Sequence, residues 1–193
     1  MRRLSVSAIL IGASIAMTQA AAAPDPATDP QIDPKIRSFL SELNKDSSPF
    51  WEKPGPQVRA VLTGLQAKTP VNLSGITISE KTVSENGQRV KLYIMKPDNV
   101  DGTPPVLLFI HGGVWIAGDF ENHKRLVRDL VVGSGAAAVF VEYTPIPDAV
   151  FPTQVEQNYA AAKWIAQHGA EMALTAAEWP SPEIPWVAIC RPR

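Results

Sequence analysis

Residues Val106-Leu107-Leu108-Phe109-Ile110 are apolar without a break, and a strand that offers no polar side chain to water has to be covered on both faces. That demand constrains the fold more than any other stretch. A helical pattern from about Asn122 to Val132 follows, then an apolar strand from Ala137 to Tyr143, "AAVFVEY", then a helix from about Pro152 to His168. Strand and helix in alternation predict a parallel sheet with crossover helices, with 106–110 as a central strand. Upstream the period is two. Ile76 and Ile78 alternate with Thr77 and Ser79, Asn86-Gly87 marks a turn, and Val90, Leu92 and Ile94 alternate with Lys91, Tyr93 and Met95. This predicts an antiparallel hairpin leading into the parallel sheet. Two amphipathic helices come first. One has Asp33 as N-cap, Pro34 at its first position and Ile36, Phe39, Leu40 and Leu43 on one face; the other runs from Pro56 to Gln66 with Val58, Val61, Leu62 and Leu65 as its stripe. The fold class is α/β.

Composition narrows the partners. The chain is 45% hydrophobic and 19% charged, as expected of a globular protein, and its formal net charge is -1 with no basic stripe beyond the first three residues. Nucleic-acid binding is therefore not expected, and a small molecule is. Cys190 is the only cysteine, so no intrachain disulfide can form. Arg2 and Arg3 precede an apolar run, Leu4 to Met17, of about 14 residues, shorter than the roughly 20 of a spanning helix, and small residues follow it. We expect a signal peptide over 1–22, a proline-spaced linker over 23–31, export to the periplasm or the medium, and no membrane span after cleavage.

The strand 106–110 runs straight into His111-Gly112-Gly113-Val114-Trp115-Ile116-Ala117-Gly118-Asp119. Glycines where a loop leaves the carboxyl edge of a parallel sheet allow unusual dihedrals and bring backbone N–H groups close to a ligand. The alternative is a plain turn after a strand. A second motif, Glu142-Tyr143-Thr144-Pro145-Ile146-Pro147-Asp148-Ala149-Val150-Phe151-Pro152, follows at a suggestive distance. Together the two segments resemble the His-Gly-Gly and Tyr-Arg-Leu-Ala-Pro-Glu elements of the α/β-hydrolase superfamily, in particular the hormone-sensitive-lipase-like esterases and lipases. The resemblance covers roughly 32–168, with 32–70 standing where that family keeps its cap helices. It implies the N-terminal half of an α/β-hydrolase fold over 32–174. It also implies an oxyanion loop formed by Gly112, Gly113 and Val114, with His111 structural rather than basic. Val114 replaces the family's third glycine.

Hydrolysis of that kind needs a serine on a Gly-x-Ser-x-Gly elbow, followed by an acid and a histidine. After His111 the serines are Ser134, at a helix end, and Ser181, between Pro180 and Pro182, and neither fits. His123 and His168 fall on helices, on faces expected to be solvated. The tail 175–193 carries four prolines, Pro180, Pro182, Pro185 and Pro192. Its possible codons, read one base out of frame, permit Asn-Ser-Val-Gly-Gly where Glu183 to Ala188 stand, with the first Gly forced by Trp186 and Val187. The tail thus reads as frameshifted, and the nucleophile, acid and base as absent. The resemblance implies an exported carboxylic-ester hydrolase acting through an acyl-serine, with an ester substrate and neither cofactor nor metal, and with this chain itself inactive. A non-catalytic secreted binding module and a peptidase of the same fold stand as alternatives.

Overall fold

The structure, a computed structural model, describes residues 25, 28–43 and 52–174. The expected signal peptide, residues 23, 24, 26 and 27 of the linker, and the tail with Ser181 and Cys190 lie outside them. The chain divides into two compact units, 1–42 and 43–193. α1 spans Pro34–Leu43, all but its last residue in the first unit, and the Lys35 N–H donates to Asp33 Oδ1 at 2.8 Å, the expected cap.

The second unit is built in the order α2 (Gly55–Ala67), β1 (Ile76–Glu85), β2 (Gln88–Pro97), β3 (Val106–Ile110), α3 (Phe120–Ser134), β4 (Ala137–Glu142) and α4 (Thr153–His168), closed by a 3₁₀ turn at Gly169–Met172. The sheet order is β1-β2-β4-β3. β1 and β2 pair as the predicted hairpin, and Asn86 (φ 51) and Gly87 (φ 76) take the left-handed dihedrals of its turn. β4 is antiparallel to β2, with Leu92 opposite Val141, and parallel to β3, with Leu108 opposite Val139.

Period two along the strands divides the core between two faces. Leu92, Ile94, Ala137, Val139 and Val141 point to α4, where Ala161, Trp164 and Ile165 meet them. Met95, Ala138 and Phe140 point to α3 and its Phe120, Val127 and Val131. A side chain such as Phe140, with no exposed surface, contributes about 1.5–3 kcal/mol by leaving water.

One expectation needs correcting. β3 is not the central strand: among the described residues it forms the edge, 106–109 are half-buried and Ile110 is 40% exposed. The central place belongs to β4, buried from Ala137 to Val141. Hydropathy tells that a strand is apolar, whereas its neighbours are fixed by the crossover that α3 makes.

Candidate active site

The loops 111–119 and 143–152 leave the carboxyl ends of the adjacent parallel strands β3 and β4, where ligands of open α/β sheets bind. In the first loop the Gly113 carbonyl accepts the N–H groups of Ile116 (3.0 Å) and Ala117 (2.9 Å), closing a tight turn. Gly113 has φ 119, and a Cβ there would lie 1.9 Å from the Ala117 oxygen, so only glycine fits. Val114 (φ 56) and Trp115 (φ 62) follow in the left-handed region, and Val114 is 83% exposed. The turn leaves the N–H groups of Gly112, Gly113 and Val114 with no acceptor among the described residues.

His111 sits beneath this turn. Its ring stacks on Tyr143 (4.1 Å, 9°) and on Phe140 (5.2 Å, 3°). The Tyr143 hydroxyl donates to the His111 carbonyl at 2.9 Å, and Nδ1 lies 2.8 Å from the Gly112 carbonyl. A carbonyl only accepts, so the ring proton belongs on Nδ1 and Nε2 carries the lone pair. Burial holds the imidazole below its usual pKa, against the Gly112 contact, and so keeps it neutral. Burial also pushes the Tyr143 phenol up to about 12, keeping its proton for that hydrogen bond. Gly118 (φ 90) returns the chain against the ring, where a Cβ would come within 2.7 Å of Nδ1.

Four further residues build the site, none of them among the site residues expected from the sequence. Asp119 caps α3, its Oδ1 accepting from the Asn122 N–H at 2.8 Å, while Thr63 of α2 donates to its Oδ2 at 3.2 Å. Glu142 ends β4 and accepts the Phe120 N–H at 3.0 Å; burial first, then the nearby carboxylates of Asp119 and Glu121, push it up to about 7 although that N–H opposes. Gln157, buried in α4, holds the second loop by accepting from the Thr144 N–H at 2.7 Å and donating to the Arg89 carbonyl at 3.0 Å. Arg59 of α2 reaches both loops, donating to the carbonyls of Ile116 and Ile146, each at 2.9 Å, and to Asp148 at 2.9 Å. An acid closing an otherwise apolar strand was a usable signal for Glu142. Arg59 had none, since its partners lie 57 to 89 residues away.

The histidines expected on solvated faces are corrected. His123 is half-buried, its ring 5.3 Å from that of His111 and 5.9 Å from Phe109, with Nδ1 2.9 Å from the Asp119 carbonyl. His168 stacks on Trp164 at 5.0 Å. Both follow the apolar faces of their helices rather than their own polarity. Ser134 closes α3: its hydroxyl donates to the Leu130 carbonyl at 2.6 Å and accepts the Ala136 N–H at 3.2 Å. No serine among the described residues hydrogen-bonds a histidine, and none of their His, Cys, Asp and Glu side chains form a group of three able to hold a metal.

Comparison with known proteins agrees with this geometry. Residues 107–179 match a family described as having the alpha/beta hydrolase fold. The chain is 32% identical over 148 residues to the carboxylesterase NlhH of Mycobacterium tuberculosis, an overlap covering 74% of the chain and 44% of that protein. It superposes on a thermostable esterase from Pseudomonas putida with TM-score 0.67 and 47% identity, covering 76% of this chain and 46% of that one. A fungal esterase from Rhizomucor miehei gives TM-score 0.66 and 30% identity, with the same coverage. The chain spans less than half the length of each of these relatives.

Proposed function

We propose, from the likeness of the chain to esterases of the α/β-hydrolase fold, that 111–119 is the oxyanion-binding loop of an exported carboxylic-ester hydrolase. The observation that carries this is the trio of N–H groups at Gly112, Gly113 and Val114, without acceptors among the described residues and placed in the loop at the carboxyl end of β3. An ester carbonyl oxygen set among them gains donors as it becomes an oxyanion, and each such donor is worth on the order of 3 kcal/mol in the transition state. His111 supports the loop from below as a neutral ring. The attacking serine, its general base and the acid that orients that base are not among the described residues. The substrate is a small carboxylic ester, and the chemistry calls for neither metal nor cofactor.

The out-of-frame peptide Asn-Ser-Val-Gly-Gly, permitted by the codons of Glu183 to Ala188, supports a locus that lost one base near Leu174. The 193-residue product is then expected to hydrolyse p-nitrophenyl butyrate no faster than background. The product of a gene with that base restored is expected to turn it over and to be silenced by a serine-directed organophosphate. A restored product without activity would sink the proposal, and organophosphate-sensitive turnover by the 193-residue product would sink its account of the missing nucleophile. Export is tested separately: expression in a bacterium with N-terminal sequencing of the product, which is expected to begin within a few residues of Ala23.

A further inference from the structure

Arg59 hydrogen-bonds three residues spread over both loops, yet it lies in α2, outside the 107–179 family match. Its Nη1 donates at 2.9 Å to two carbonyls on different loops, that of Ile116 in the turn after His111 and that of Ile146 in the loop after β4. Nη2 meets Asp148 at 2.9 Å, further along the same second loop. The Ile146 N–H donates to the Trp115 carbonyl at 2.7 Å, so the two loops also touch directly where the guanidinium spans them. Gly55, one helical turn before Arg59 and on the same face, approaches the same pair: a Cβ there would lie 3.0 Å from Ile116 Cγ2 and 3.0 Å from the Ile146 oxygen. The first turn of α2 is therefore seated on the seam between the loops, and its arginine is bolted across it. The Arg59 side chain is only 20% exposed, which favours a fixed fork over a mobile surface charge.

We propose that Arg59 is a positioning residue for the oxyanion loop, holding Ile116 and Ile146 in register so that the N–H groups of Gly112, Gly113 and Val114 keep a common aim. The inference rests on the functional role given to that loop above. A planar fork suits the task because one group must serve two carbonyls and a carboxylate lying in different directions. A lysine ammonium supplies the charge but not the span. The left-handed dihedrals of Val114 and Trp115 make such an external clamp necessary, since the turn resists its own conformation.

The test is amide hydrogen exchange by NMR on the ¹⁵N-labelled 193-residue chain, with Arg59→Met, Arg59→Lys and Asp148→Asn beside wild type. Arg59→Met is expected to speed exchange at Ile116, Ala117 and Ile146 by about tenfold or more while Val139 and Phe140 in β4 keep their wild-type rates. Arg59→Lys should speed the same three amides less, and Asp148→Asn, which spares both carbonyl contacts, least. The proposal is overturned if Arg59→Met and Arg59→Lys both leave the three amides at wild-type rates, or if they speed Val139 and Phe140 equally. Should Arg59→Met fail to fold, Arg59→Lys decides on the same criterion. Loop exchange is read without any ester being cleaved, so inactivity of the base-restored product would count against the proposed function and not against this clamp.

Discussion

Val114 holds a conformation that its side chain opposes. A β-branched residue at φ 56 costs on the order of 1–2 kcal/mol, and with 83% of its surface exposed it regains little by packing. Val114→Gly is therefore expected to stabilise the protein by about 0.5–1 kcal/mol, the relief outweighing glycine's extra chain entropy, as read from urea unfolding. One position along the chain is enough to reverse the sign. Gly113→Ala drives a Cβ into the Ala117 carbonyl and is expected to cost about 3 kcal/mol or more, with the soluble yield falling alongside the melting temperature. The His-Gly-Gly motif was legible because glycines and a strand end are local signals. The strain at Val114 was not, because valine's own preference points to extended backbone and only the Gly113–Ala117 turn forces it otherwise.

Each strand and helix of 52–174 was visible in the sequence to within a few residues, since periods of two and 3.6 are written locally. α3 starts at Phe120 rather than Asn122 because Asp119 caps it. Glu142 shows what such patterns omit: its side chain closes β4 on the N-terminus of α3, and burial makes it an acid that titrates near neutrality. Between its unfolded pKa of 4.5 and its folded value of about 7 the folded protein holds a proton that the unfolded chain has lost. The stabilisation from this group is thus complete below pH 4.5 and disappears as the pH rises through 7, an effect of up to roughly 3 kcal/mol. His111, whose pKa is lowered, acts in the opposite direction below its usual value. Comparison with Glu142→Gln isolates the carboxyl: wild type is expected to lose stability relative to the variant between pH 5 and pH 8, measured by urea unfolding at each pH. A constant difference across that range would contradict the burial of Glu142.

For the molecule as a whole, the sequence carried the alternation of α and β but not the strand order, which depends on how the chain crosses over. The apolar run 106–110 read as a centre and stands at an edge, with β4 as its only partner among the described residues. Among the described residues the outer edge of β3, which ends in exposed Ile110, has no strand against it, and such an edge pairs readily with another chain. Ile110→Lys is expected to lower self-association of the 193-residue chain several-fold in sedimentation velocity, with the fold by circular dichroism unchanged. Equal association in both proteins would show that the β3 edge is not what brings copies together. The clamp made by Arg59 also sets a timetable. Arg59 and Asp148 are 89 residues apart, and a ribosome adding about 5–20 residues per second needs roughly 5–20 s to deliver the second after the first. The first loop follows Arg59 after 57 residues, so until Asp148 arrives the Gly55 face of α2 is at most half covered and open to whatever meets nascent chains.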